Sequence, residues 1–250
     1  MKQTRRNFIS KAALGIPLAS LPFSLTDQKN SKQNIFSPNK GDIILFQGDS
    51  ITDSSREKVY ELPNNALSFG EGYPFIAASE LLFNNSEKNL QIYNRGISGD
   101  KVPQLYKRWE KDCIKLKPSI LSIMIGINDF WHVKDNNYDG TIEKFEKGYR
   151  ELLTITKNKL PNIKIMLCEP FILLGTAIEK SWPNEFSKYQ KVAKNLSIEF
   201  NTKWVPFQDS FDKALKEAPI SYWAPDGVHP SMAGSKLMAK IWLEKFNSIK

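Results

Sequence analysis

The chain has 250 residues, 41% hydrophobic and 12% aromatic, with a formal charge of +8. That composition is ample for a packed core, argues against disorder and fits one large globular domain or two small ones. Lys2, Arg5, Arg6 and Lys11, in an acid-free stretch of 26 residues, supply half of the net charge, and the remaining lysines are scattered with no basic block, so nucleic acid is not an expected partner.

At the N-terminus, Thr4-Arg5-Arg6-Asn7-Phe8-Ile9-Ser10-Lys11 is similar to a twin-arginine export signal. The apolar stretch 12–25 that follows is broken by Pro17 and Pro22 and is too short for a membrane span. The expected organisation is an export signal over 1–26, a polar linker over 27–40 and one domain over 41–250. The expected destination is the periplasm or the cell exterior.

From residue 43 the pattern alternates. Short apolar runs lie at 43–47, 90–93, 120–125, 163–167 and 204–207; several are too uniformly apolar for half-exposed strands and fit buried parallel ones. Segments of helical period lie between and after them, at 73–83, 102–116, 142–159, 185–200, 211–217 and 232–246, and Pro118 and Pro161 fall at boundaries. Alternation of this kind implies an open three-layer α/β/α sandwich. The two cysteines, Cys113 and Cys168, do not make a disulfide framework, and Cys168 is expected as a buried thiol.

Ligands of such sheets bind beyond the carboxyl ends of the strands. Small polar residues concentrate there: Gly48-Asp49-Ser50 after the first run, Asn94-Arg95-Gly96-Ile97-Ser98-Gly99 after the second, Gly126-Ile127-Asn128-Asp129 after the third, and Asp226-Gly227-Val228-His229-Pro230 before the last helix. Ser50 as a nucleophile requires a base. There are two histidines, His132 and His229. His229 is preferred because Asp226, three residues upstream, offers a carboxylate to orient its ring. His132 is the competitor. An acyl-transfer site also needs donors for the developing oxyanion, expected from the N–H of Ser50, the N–H of Gly96 and the side-chain amide of Asn128. The pattern around Ser50 is not that of a phosphate loop, and two histidines and two cysteines without HExxH speak against a zinc hydrolase.

Together these four ordered stretches resemble the SGNH (GDSL-type) hydrolase family over about residues 41 to 248. The resemblance implies a flavodoxin-like sheet of five parallel strands, metal- and cofactor-independent ester hydrolysis through Ser50, Asp226 and His229, and a structural role for Asp49. The segments around Arg108-Trp109, Asn128-Asp129-Phe130-Trp131 and His229-Pro230-Ser231 are similar to those of bacterial acetylxylan esterases in the family. O-acetyl groups on polysaccharide fragments are therefore the expected substrate, with Trp131, Trp182 and Trp223 as candidate sugar-packing residues. Lysophospholipase, general short-chain esterase or thioesterase activity is the alternative within catalysis. A glycan-binding module with an inactive triad is the alternative outside it.

Overall fold

A computed structural model describes residues 36–249; the export signal expected over 1–26 lies outside them. Five strands, β1 (Ile43–Gly48), β2 (Gln91–Asn94), β3 (Ile120–Met124), β4 (Lys164–Cys168) and β5 (Lys203–Val205), form a single parallel sheet in the order β2-β1-β3-β4-β5. All five residues of β3 are buried, as a strand covered on both faces requires. The register sets Gly48 beside Met124 and Met124 beside Cys168, so the strands end along a common edge.

The helices are α1 (Ser50–Asp53), α2 (Ala66–Phe69), α3 (Tyr73–Asn84), α4 (Val102–Asp112), α5 (Ile127–Lys134), α6 (Ile142–Lys159), α7 (Trp182–Glu199), α8 (Phe207–Ala214), α9 (Ile220–Trp223) and α10 (Met232–Phe246). One layer packs α10 against α3, α8 and β5, and the other packs α6 against α4 and α7. Indoles tie one layer to the sheet and, in the other, one helix to its neighbour. Trp242 lies against Phe46 at 4.8 Å and donates from Nε1 to Ser122 Oγ at 2.9 Å. Trp109 Nε1 on α4 donates to Thr156 Oγ1 on α6 at 2.9 Å. Each indole N–H thus has the partner that a buried donor needs.

Several boundaries differ from the sequence expectation. The helix expected over 102–116 stops at Asp112, and a 3-10 turn follows, because Cys113 leaves the helical region (φ −135°, ψ −63°). The helix expected over 211–217 runs instead from Phe207, which with Phe211 makes a fully buried pair one turn apart. The helix α5 has no counterpart among the expected elements. Phe36, inside the expected linker, is tied to the body by its N–H to Asn247 O (2.8 Å) and by its ring against Phe246. Both cysteines are free and buried; burial raises both thiols, that of Cys168 to about 12.

Candidate functional site

The order β2-β1-β3 makes the chain reverse direction across the sheet at β1, and the crevice opened there lies past the end of that strand. Ser50 sits in it, at the first position of α1. Asp49, fully buried, caps that helix by accepting from Ile51 N–H at 3.1 Å. Burial raises the Asp49 carboxyl to about 7, and its Oδ2 is buried with no partner among the described residues. Asp49 therefore shapes the loop beneath Ser50, the structural role expected for it.

Ser50 Oγ lies 2.9 Å from His229 Nε2, and His229 Nδ1 lies 2.6 Å from Asp226 Oδ2. Asp226 Oδ1 accepts from the N–H groups of Val228 (2.9 Å) and His229 (2.7 Å), which closes the turn and fixes the carboxylate behind the ring. Burial would raise the Asp226 pKa, but the bonds from the His229 ring and these two N–H groups outweigh it and lower it to about 2. The Asp226 bond raises His229 above its ordinary value, against the opposing effect of burial. The three expected residues are brought together in the geometry of a serine triad.

Of the three residues expected to supply oxyanion donors, the structure places Ser50 and Asn128 on the cleft and Gly96 off it. The Ser50 N–H has no partner among the described residues and is free at the start of α1. Asn128, at the start of α5, uses one amide hydrogen on Asp100 O (3.2 Å) and lines the same cleft as Ser50. Gly96, however, is buried away from the cleft. Its N–H donates to Asn94 Oδ1 (2.9 Å) and its carbonyl accepts from Arg56 Nε (2.7 Å). A Cβ there would stand 2.4 Å from Asp53 N and 2.7 Å from Thr52 C, so that glycine serves close packing beneath the serine loop. The glycine on the cleft is Gly99. It is the third residue of a turn closed by Asp100 N–H to Ile97 O (3.1 Å), its φ is +83°, and its N–H has no partner among the described residues. The unpartnered N–H groups of Ser50 and Gly99 and the second amide hydrogen of Asn128 are the donors available on the cleft. Both glycines belong to one short block, and only the turn geometry separates their roles.

Two further groups hold these loops. Arg108 on α4 donates to Asp100 Oδ2, Gln47 Oε1, Arg95 O, Asp112 Oδ2 and Gly48 O at 2.8–3.4 Å, tying the ends of β1 and β2 to α4. Arg108 lies in a stretch that carries the family resemblance, but no sequence signal marks it as this hub. Asp129 caps α4 by accepting from Val102 N–H (3.1 Å), and burial raises its carboxyl to about 7.

The cleft, about 330 Å³, is lined by Ser50, Gly99, Asn128, Trp131, His132 and Asp135, with Val228 and His229. Of the three candidate tryptophans it contains only Trp131. Trp182 is 5% exposed and packs edge-on against Trp131 at 5.7 Å, so it buttresses that ring and presents no face of its own. Trp223 is turned away: its Nε1 donates to Ala214 O (3.0 Å) and Ala218 O (3.2 Å). His132 lines the cleft, but its Nδ1 meets Lys101 Nζ and no carboxylate, so it is not the base for Ser50. Among the described residues no cluster of three or more metal-binding side chains occurs, and no helix is long and apolar enough to cross a membrane.

A parallel sheet with its switch point at β1 and a Ser–His–Asp triad on its carboxyl edge, beside a cleft that Gly99 and Asn128 share, define the serine-triad α/β/α-sandwich class, without a Gly-x-Ser-x-Gly elbow around the serine. The chain belongs to the GDSL-like lipase/acylhydrolase (SGNH) family, whose model matches residues 46–237. It is 35% identical over 213 residues to an acetylxylan esterase of Geobacillus stearothermophilus, covering 82% of this chain and 94% of that protein. The crystal structure of an acetylxylan esterase from that organism superposes with a TM-score of 0.75 at 32% identity, over 83% of this chain and 95% of the other. A protein from Parabacteroides merdae described as a GDSL-like lipase superposes with a TM-score of 0.82 at 50% identity, over 84% and 97%.

Proposed function

We propose that the protein is a serine ester hydrolase that removes short acyl groups, acetyl above all, from polysaccharide fragments such as acetylated xylan. The observation that carries the chemistry is the pair of contacts on one imidazole, Ser50 Oγ at 2.9 Å and Asp226 Oδ2 at 2.6 Å. His229 Nε2 takes the Ser50 proton as Oγ attacks the ester carbonyl, and the oxyanion is held by Ser50 N–H, Gly99 N–H and Asn128 Nδ2. As the tetrahedral intermediate collapses, His229 gives the proton to the departing alcohol. It then activates a water that releases the acid from the acyl-Ser50 ester. The steps call on no metal. The similar acetylxylan esterase and the small cleft, which sets polar side chains beside the Trp131 ring, support acetylated sugars as substrates. Release of acetate from acetylated xylo-oligosaccharides, measured with Ser50→Ala as control, tests the reading. Loss of about 10⁴–10⁶ in turnover with an unchanged circular dichroism spectrum is expected, and full turnover by the variant removes Ser50 from the chemistry.

One observation favours a second substrate class. A groove of about 730 Å³, lined by Leu67, Phe75, Ile76 and Met232, also includes Pro230 and Ser231, which follow His229 in sequence. An acyl chain longer than acetyl could lie along it, as in a lysophospholipase or general short-chain esterase. A p-nitrophenyl ester series decides: a maximum at acetate supports the first reading, and a maximum at a longer acyl chain supports the second. A glycan-binding role without catalysis predicts binding with no acetate released.

We further propose that the segment Thr4–Lys11 directs export. Replacement of Arg5 and Arg6 by lysine is then expected to retain the protein in the cytoplasm, as read by cell fractionation, and unaltered export overturns the proposal.

A further inference from the structure

His132 lines the cleft, yet the triad makes no use of it. Its Nδ1 lies 3.1 Å from Lys101 Nζ. A lysine ammonium has donors and no acceptor, so Nδ1 must accept, and the proton of the neutral ring must sit on Nε2. Lys101 is itself held in place, being 7% exposed with its ammonium 5.1 Å from the centroid of the Tyr138 ring. Burial and the Lys101 charge, against a smaller opposing effect of Asp135, keep His132 below its ordinary pKa and so in the neutral form. Its Nε2–H has no partner among the described residues. Asp135, exposed at the end of α5, lines the same cleft, and its carboxylate likewise has no partner there. Trp131, one residue before His132, adds an aromatic surface braced by Trp182.

A fixed donor, a carboxylate acceptor and a flat apolar ring suit a polyhydroxylated ligand, whose hydroxyls need both kinds of partner and whose C–H face packs on an aromatic. They do not suit the acetyl half of an ester, which has only a methyl group to offer beyond its carbonyl. We propose that Trp131, His132 and Asp135 form a subsite for the saccharide alcohol of the ester, in which His132 Nε2–H donates to a sugar hydroxyl or ring oxygen and Lys101 is the positioning residue that sets the tautomer. This subsite rests on the carbohydrate-ester reading above and names the residues that recognise the sugar.

The test compares kcat/KM for O-acetylated xylobiose with kcat/KM for p-nitrophenyl acetate, whose alcohol carries no sugar hydroxyl. His132→Phe is expected to lower the ratio about tenfold, mainly through KM, the effect of one hydrogen bond of about 1.4 kcal/mol. His132→Gln keeps a side-chain N–H donor and is expected to recover most of the ratio. Lys101→Met is expected to lower the ratio in part and to move His132 from the Nε2–H tautomer to a mixture. With only two histidines in the chain, nitrogen NMR of imidazole-labelled, untagged protein reads that directly. Equal losses on both esters, an unchanged ratio, or a wild-type His132 protonated on Nδ1 overturns the subsite. Wild-type protein that cleaves p-nitrophenyl acetate but not acetylated xylobiose overturns the carbohydrate reading itself, and the subsite with it. Cleavage of both esters with an unchanged ratio in His132→Phe overturns the subsite alone.

Discussion

His229 Nε2 stands 2.9 Å from Ser50 Oγ across a sequence separation of 179 residues. The same ring is held from behind by Asp226, whose bond to Nδ1 raises the imidazole pKa above 6.5. A base must be unprotonated to take the serine proton, so the acid limb of kcat/KM is expected above pH 6.5, with the plateau on the alkaline side. Asp226→Asn removes the carboxylate. It is expected to move that limb to lower pH and to cut kcat by about 10³–10⁴, as read from pH–rate profiles on p-nitrophenyl acetate. Stability follows with its own sign. The raised His229 contributes fully below pH 6.5 and fades as pH rises through its folded value, whereas Asp226, lowered from 3.8 to about 2, contributes above pH 3.8 and is lost as pH falls toward about 2. The difference in Tm between wild type and Asp226→Asn is therefore expected to be largest between about pH 4 and pH 6.5.

Asn128→Ala removes one donor from the oxyanion set. Asn128 is 8% exposed and keeps one amide hydrogen on Asp100 O, so the free hydrogen points at the cleft from a fixed side chain. A loss of about 10²–10³ in kcat with little change in KM is expected, since that bond strengthens as charge develops on the carbonyl oxygen. A KM effect alone would place Asn128 in ground-state binding.

The two glycines of the second loop are expected to respond differently. Gly96→Ala drives a Cβ to 2.4 Å from Asp53 N, a backbone atom that cannot step aside, and a large fall in Tm is expected. Gly99→Ala meets nothing within 4 Å but must hold φ near +83°, at a cost of about 1–2 kcal/mol. Its Tm is expected to fall less and its kcat to fall through displacement of the donor. Thermal melts and p-nitrophenyl acetate kinetics on the pair separate packing from chemistry.

Arg108→Met should unsettle the site from below. Arg108 and its partner Asp100 are both largely buried, with side chains 14% and 10% exposed, so the substitution leaves a carboxylate without its cation. Breaking a buried pair in this way costs about 3–5 kcal/mol, which corresponds to a Tm lower by on the order of 10 °C in a domain of this size. Differential scanning calorimetry checks the expectation, and a change within a degree or two would show that solvent takes over the hub.

Much of the fold was legible because its period is strong. The runs beginning at Ile43 and Ile120 are predominantly apolar, and the register places both inside the sheet with a neighbour on each side. The misses fall where local pattern is ambiguous. Residues 127–134 hold a helix whose first turn, Asn128-Asp129-Phe130, reads as loop, because its polar residues serve the cleft and α4 and do not mark a solvent face. Likewise Trp182 and Trp223 carry the composition of sugar-packing residues, but what an indole does depends on what lies against it: for Trp182 the Trp131 ring, for Trp223 the carbonyls of Ala214 and Ala218.

The alternation of strand and helix, the serine, the acid–imidazole spacing and the amide can all be read along the chain, because each is carried by residue type and short-range order. Only the tertiary structure decided which glycine turns its N–H to the cleft, which tryptophan shows a face, and that Lys101 and Arg108 hold the site. Those outcomes depend on the direction in which a group points after distant loops meet, and direction is set by packing across the sheet edge, not by neighbours along the chain.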